Sequence, residues 1–113
     1  MKQRLLVMNG QLLVQSEHEG TWSTDKVEKA GAVRPGIYNI HLAINADRAK
    51  AHAGTILYLD SSSVYQQVGK SYVKHARVDF MKLPEIGTTA TVSYDEGKMA
   101  ISSSARRSGR KIT

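Results

Sequence analysis

Residues 54–77 read GTILYLDSSSVYQQVGKSYVKHAR and decide the fold. Turn residues at 60–62 and 69–70 divide this stretch into short runs that are rich in β-branched and aromatic residues. Runs of that composition between turns are typical of antiparallel strands. The sequence therefore predicts three consecutive strands, over 55–59, 63–68 and 71–77.

Working outward toward the C-terminus, the alternation breaks over 78–84, where we expect one helical turn. It resumes in two further strands, 88–94 and 98–102, which are joined by a turn. Five strands of about five to seven residues with tight turns describe a small barrel, either SH3-like or OB-like. The very short loops favour an SH3-like barrel over residues 54–103.

Toward the N-terminus, Asn9-Gly10 separates two apolar runs and predicts a β-hairpin, because a type I′ turn needs positive φ at both central residues. Residues 24–31 carry a capping Thr, an early Asp and a terminal Gly, which predict a short helix. A Pro-Gly turn and a strand over 37–43 follow. Residues 45–54 are either an Ala-rich helical turn or an exposed connection.

These elements predict a mainly β protein with one compact domain over 1–103. The hairpin, helix and strand of subregion 1–47 pack on the barrel, because so short a segment buries too little surface to be stable alone. Residues 104–113 are rich in Ser, Arg and Gly without an apolar period, and we expect a disordered basic tail there.

The charge is unevenly distributed. The 113 residues carry a formal net charge of +6, and four of the 16 basic residues lie in the tail without an acid among them, at Arg106, Arg107, Arg110 and Lys111. The rest of the chain, which we call the body, contains the remaining 12 basic residues and all 10 acidic residues, so its net charge is close to neutral. A basic tail points to nucleic acid through counterion release, although a solubilising tail has the same composition.

Motifs for catalysis, cofactors and metals are missing from the sequence. Cysteine is absent, the four histidines lack metal-ligand spacing, and there is neither a Gly-x-Ser-x-Gly elbow nor a full phosphate-binding loop. We therefore expect no enzymatic activity, no cofactor and no metal. No apolar run is long enough for a membrane span, and a cysteine-free chain fits the cytoplasm.

Tyrosines and bases alternate in the three central strands. Aromatic rings beside cations on a small barrel can stack bases and hold phosphates. The tyrosines can equally pack in the core, and an SH3-like barrel can equally bind a peptide. The candidate binding residues, for nucleic acid or a protein partner, are Tyr58, Tyr65, Tyr72, Lys70, Lys74, His75 and Arg77, together with the four tail bases.

Short motifs after residue 54 follow one another in a familiar order. A Gly-led strand precedes a Val-x-Gln strand, a Val-x-His strand, a turn with Pro and Gly, and a closing hairpin; the matching positions are Val64, Gln66, Val73, His75, Pro84 and Gly87. Over roughly 54–103 this order resembles the KfrB-type domain of conjugative plasmids. The resemblance implies a plasmid-encoded accessory protein of maintenance or transfer, and it brings no catalytic residues.

Together these features predict a non-enzymatic accessory protein of conjugative transfer or plasmid maintenance. We expect it to bind nucleic acid, with DNA favoured over RNA, through the basic and tyrosine surface and the tail. The alternative is a protein-interaction module that recruits another plasmid or secretion component. A homodimer stays open as well, since a short meander leaves unpaired sheet edges.

Overall fold

The computed structural model describes residues 2–80, 83–95 and 98–103. Within these residues the prediction of a mainly β protein is confirmed, with ten strands in two sheets. Two 3₁₀ helices, Ile40–Leu42 and Arg77–Asp79, interrupt them. The strands are β1 (Lys2–Met8), β2 (Gln11–His18), β3 (Thr21–Lys29), β4 (Gly36–Tyr38), β5 (Ile44–Asn45), β6 (His52–Leu59), β7 (Ser63–Val68), β8 (Ser71–Ala76), β9 (Thr89–Asp95) and β10 (Lys98–Ser103).

The N-terminal sheet has the strand order β3-β2-β1-β4. Its β1–β2 hairpin confirms the prediction from Asn9-Gly10: the two turn residues have φ of 54° and 76°, and Met8 pairs with Gln11 directly beside the turn. A second two-residue turn, Glu19-Gly20, has φ of 52° and 82° and leads into β3. Because both turns match the twist of the flanking strands, the chain folds back on itself twice.

The helix predicted over 24–31 is wrong, because these residues belong mostly to β3. The chain returns at Gly20 and pairs with β2 from His18↔Thr21 to Gln11↔Lys29, with one irregularity at Val14/Gln15. Cross-strand hydrogen bonding to β2 overrides the local helix signals of this segment.

The strand predicted over 37–43 is shorter than expected. Gly36–Tyr38 pairs with β1, and the chain then tightens into the 3₁₀ helix Ile40–Leu42. Of the two alternatives for 45–54, the exposed connection is observed over 46–51, between the short strand β5 and the start of β6 at His52.

The C-terminal sheet has the order β10-β9-β6-β7-β8-β5, and the strands predicted over 63–68 and 71–77 are β7 and β8. The SH3-like barrel is not confirmed: the sheet is not closed, because the edge strands β10 and β5 do not pair with each other among the described residues. The two-residue β5 runs parallel to β8 and ends there. The sheet still curls strongly, since the Tyr94 hydroxyl of β9 reaches His75 Nδ1 of β8 at 2.6 Å across two intervening strands.

The core lies on both faces of the C-terminal sheet. Residues from β1 and β2, among them Leu5 and Leu12, pack with Leu57 and Tyr58 between the two sheets, so the N- and C-terminal parts share this core. A smaller cluster on the other face is formed by Ile56, Val64, Phe80 and Ala90. No helix within the described part of the chain is long and apolar enough to cross a membrane.

Candidate functional site

Two cavities flank the short parallel pairing of β5 with β8. Only Ile44↔Val73 and Asn45↔Lys74 are paired, so β5 covers the middle of β8 and leaves both ends uncovered. We call the first cavity the edge groove and the second the seam pocket. The edge groove, about 230 Å³, is lined by Leu42, Ile44, Lys70, Ser71 and Tyr72. The seam pocket, about 240 Å³, is lined by Asn45, Ala46, Arg48, Lys74, His75, Ala76 and Tyr94.

The edge groove presents apolar side chains to solvent. The 3₁₀ turn buries Ile40 and leaves Leu42 61% exposed, and the two-residue β5 leaves Ile44 63% exposed. Tyr72 lies beside them, half-buried against the core between the sheets. Leu42 and Ile44 therefore form a small exposed apolar patch beside Tyr72 at the edge of the sheet.

The seam pocket lies where the curled sheet fails to close. Arg48, from the connection that precedes β6, donates from Nη2 to Asp79 Oδ2 at 2.6 Å and stacks over the Tyr94 ring at 4.7 Å. The same connection is held by Ala46, whose N–H donates to the Lys74 carbonyl at 3.0 Å. These contacts tie the connection to β8 and β9 and leave a pocket with polar and charged walls.

A buried polar network forms the inner wall of the seam pocket. Gln66, which is fully buried, donates from Nε2 to the carbonyls of His52, Gly54 and Ala90 at 3.0–3.2 Å. Because carbonyls only accept, the Gln66 amide must point its nitrogen toward them and its oxygen toward His75. The His75 Nε2–H therefore donates to Gln66 Oε1 at 2.8 Å.

This hydrogen-bond chain fixes the state of His75. With its proton on Nε2, the neutral ring accepts the Tyr94 hydroxyl at Nδ1. Burial, assisted by the nearby His52, lowers the pKa of His75 to about 4, so the ring is uncharged at neutral pH. The network thus connects β6, β7, β8 and β9 without a buried charge, which supports a structural role for His75.

The structure places the predicted tyrosines Tyr58 and Tyr65 in the core. They are directly paired across β6 and β7, their rings stack at 6.3 Å, and they are 6% and 8% exposed. Burial raises the pKa of Tyr65 to about 12, and its hydroxyl donates to Asp60 at 3.3 Å. Their rings are therefore not available as a surface for stacking bases, because the N-terminal sheet covers that face.

The other predicted residues of the body are divided between several places. Lys70 and Tyr72 line the edge groove, whereas Lys74 and His75 line the seam pocket. Arg77 donates from Nη1 to the Asp60 carbonyl at 2.6 Å. His75 is 1% exposed and belongs to the buried network, so the expected continuous surface is not present. Arg106, Arg107, Arg110 and Lys111 lie outside the described residues.

Sequence reasoning did not find several residues that line these cavities. Leu42 lies in the strand predicted over 37–43. Arg48 lies within residues 45–54, which show no clear hydrophobic period, and Ile44 directly precedes them. Only the parallel pairing of β5 with β8 brings them beside β8. Across the ranges that the structure describes, no cluster of three His, Cys, Asp or Glu residues could hold a metal.

Comparison with known proteins gives two similarities. Residues 51–103 match the family model described as KfrB Domain. The chain is also 32% identical over 98 residues to Protein TraB of Escherichia coli, an alignment that covers 84% of this chain and 67% of that protein. The family match begins just before β6 and ends with β10, so it includes Gln66, His75 and Tyr94.

Proposed function

Because the chain belongs to the KfrB-domain family of plasmid-encoded proteins, we propose that it is a non-enzymatic accessory protein of conjugative transfer or plasmid maintenance. It works by docking another plasmid-encoded protein, or a secretion component, on the edge groove. The family places the chain in plasmid biology, and the geometry of the groove supports a protein as the partner.

The observation that carries this proposal is the exposure of Leu42 and Ile44, at 61% and 63%, beside Tyr72 in one cavity. Full burial of an aliphatic side chain of this size from full exposure contributes about 1.5–3 kcal/mol, and a partner would gain the part that belongs to the exposed surface of each. A protein segment with its own apolar side chains would cover them. A nucleic acid offers phosphates and polar base edges, which do not match such a surface.

The groove also favours an extended partner segment. It lies at the outer edge of a sheet, where β5 covers only two residues of β8, and such edges accept an added strand. Lys70 at one end of the groove supplies a positive charge. The partner segment is therefore apolar and extended, and an acidic residue beside Lys70 would complement that charge.

The first test is capture of the partner from cells that carry the plasmid encoding this chain. The tagged full chain is compared with the double variant Leu42→Asp/Ile44→Asp and with the control Val78→Asp. Val78 is 90% exposed, so the control places the same charge on an apolar surface residue outside the groove. Captured proteins are identified by mass spectrometry after nuclease treatment and a high-salt wash.

We expect the same plasmid-encoded protein with the wild type and with Val78→Asp, and its loss with the groove variant. A partner that the groove variant retains, or one that nuclease and salt remove, would contradict docking at the groove. Circular dichroism of the three proteins checks that the exposed substitutions leave the fold intact.

Binding of nucleic acid by the tail is the second candidate function. It is favoured by the four bases Arg106, Arg107, Arg110 and Lys111, which stand without an acid among them beside an almost neutral body. Their replacement by Ala should remove most of the salt dependence of oligonucleotide binding, since each phosphate contact contributes to the salt slope. Fluorescence anisotropy with single- and double-stranded DNA at two salt concentrations measures this, and an unchanged slope would remove the tail from the account.

A further inference from the structure

The outer strand β3 combines high exposure with a regular charge pattern. It has nine residues, TWSTDKVEK, and only Trp22 and Glu28 are half-buried while the others are exposed. Val27, in the middle of the charged part, is 53% exposed. β3 pairs with β2 on one side and, within the described part of the chain, has no neighbouring strand on the other, because it ends the strand order of the N-terminal sheet.

The pairing with β2 shows which backbone groups face the free edge. Lys26 pairs with Val14 and Glu28 with Leu12, and the Ala30 N–H donates to the Gly10 carbonyl on the β2 side. Backbone groups alternate between the two sides of a strand. Residues 26, 28 and 30 therefore use the β2 side, and Val27 and Lys29 direct their N–H and carbonyl groups outward.

The sequence DKVEK over 25–29 is complementary to itself when it is read in the opposite direction. We propose that β3 pairs with β3 of a second copy of this chain, antiparallel, around a two-fold axis at Val27. In this register Lys26 of each copy lies opposite Glu28 of the other, on the face of the sheet that carries Val14 and Leu12. Asp25 lies at the irregularity of β3, where its carboxylate accepts the Ser16 hydroxyl, so it takes no part in the charge pairing. Val27 lies opposite itself with its outward N–H and carbonyl, as a hydrogen-bonded antiparallel pair requires.

The charges select this register over its neighbours. A shift by one residue places Asp25 opposite Glu28, or Lys26 opposite Lys29. A shift by two residues places Lys26 opposite Lys26, or Glu28 opposite Glu28. Opposite charges in facing positions stabilise a strand pair and like charges destabilise it. Charged side chains usually protect an edge strand from pairing, but in this register Lys26 and Glu28 attract their counterparts on the second copy.

The pairing also makes use of a contact that is already present in one chain. Lys26 Nζ and Glu28 Oε2 lie 3.2 Å apart on the same face of β3. In the dimer, the two pairs would stand side by side as a group of four alternating charges. The two N-terminal sheets would then form one continuous sheet, with Val27 of both copies covered at its centre.

Two charge-reversal variants, measured alone and mixed, test this interface. Lys26→Glu places Glu opposite Glu28, and Glu28→Lys places Lys opposite Lys26, so each variant alone should dimerise about tenfold more weakly or worse. An equimolar mixture of the two restores opposite charges between positions 26 and 28 and should form a heterodimer. Sedimentation equilibrium over a concentration series gives the dissociation constants, with Lys50→Glu in the exposed connection as the control.

The mixture separates pairing from a purely structural effect. Both variants lose the contact between Lys26 and Glu28 within the chain, so a loss that came from poorer folding would persist in the mixture. Recovery of the dimer on mixing supports the proposal. A monomeric wild type at all concentrations, or a dimer that neither variant weakens, would overturn it.

A disulfide scan gives a second measurement that does not depend on charge. The chain has no cysteine, so each single substitution introduces one thiol. Hydrogen-bonded antiparallel pairs have Cα atoms about 5.5 Å apart, within the range that a disulfide spans. Val27→Cys should therefore cross-link under mild oxidation, whereas Lys29→Cys should not, because its two copies would lie about 14 Å apart along the strands. Equal cross-linking of both variants would contradict the register.

Discussion

Replacement of Gln66 by Leu tests the buried network most sharply. Gln66 is fully buried, donates to three backbone carbonyls and accepts the Nε2–H of His75. Leu has a similar size but supplies none of these hydrogen bonds. The variant therefore leaves the His75 N–H, itself on a side chain that is 1% exposed, without its acceptor.

The magnitude follows from counting the groups that lose a partner. A buried polar group without a partner costs about 1–3 kcal/mol, and the His75 N–H is one such group. The carbonyls of His52, Gly54 and Ala90 lie within sheet strands, so losing the Gln66 amide donor that they share has a smaller effect. It costs about 0.5–1.5 kcal/mol in total. We expect Gln66→Leu to lower the free energy of unfolding by about 1.5–4.5 kcal/mol.

The assay is urea unfolding followed by circular dichroism at neutral pH. The matched control is Gln67→Leu, the next residue on β7, which is half-buried and lies on the opposite face of the strand. We expect the control to change the free energy of unfolding by less than about 1 kcal/mol. A Gln66→Leu variant that is as stable as the wild type would refute the assignment of Gln66 as the central donor of the network.

Two further predictions concern pH and backbone packing. Burial lowers the pKa of His75 to about 4 from its ordinary 6.5, so the unfolded chain takes up the proton first and stability falls as pH decreases from 6.5 toward 4. The free energy of unfolding falls by about 3 kcal/mol over that window. Urea unfolding at a series of pH values measures this decrease, and His75→Asn should reduce it. An unchanged pH dependence in the variant would show that another group causes the decrease. Gly54→Ala places a Cβ 1.7 Å from the Gln67 carbonyl oxygen. This variant should lower the free energy of unfolding by about 3 kcal/mol or prevent folding, whereas Ala53→Ser at the exposed neighbouring residue should leave stability almost unchanged. Thermal melts compare the two variants, and equal melting temperatures would contradict the close approach of β6 and β7.

Local chemistry explains which strands the sequence predicts correctly. Asn9-Gly10 specifies its hairpin through the positive φ of two adjacent residues, and no distant partner is needed. Residues 24–31 carry equally clear local signals for a helix, but β2 offers a complete set of hydrogen-bond partners to them. β2 becomes the partner of this segment only because the second turn, at Glu19-Gly20, returns the chain beside it. The position of β2 in turn depends on the first hairpin.

The candidate site could be predicted only in part for the same reason. Alternation along β7 and β8 places Tyr65 and Lys74 on one face, yet it does not show that the N-terminal sheet covers Tyr65. Lys70 and Tyr72 were predicted from their own strand and turn. Leu42 and Ile44 join them only through the short parallel strand β5, a non-local pairing that leaves no period in the sequence.

Site-specific photocross-linking at Ile44 tests docking at the edge groove most directly. A photoreactive side chain replaces Ile44 in the full chain, or Val78 as an aliphatic and still more exposed control, in cells that carry the plasmid. The proposal predicts a cross-link from position 44 to one plasmid-encoded protein and none to that protein from position 78. Cross-links from position 44 to nucleic acid alone, or to the same protein equally from both positions, would contradict it.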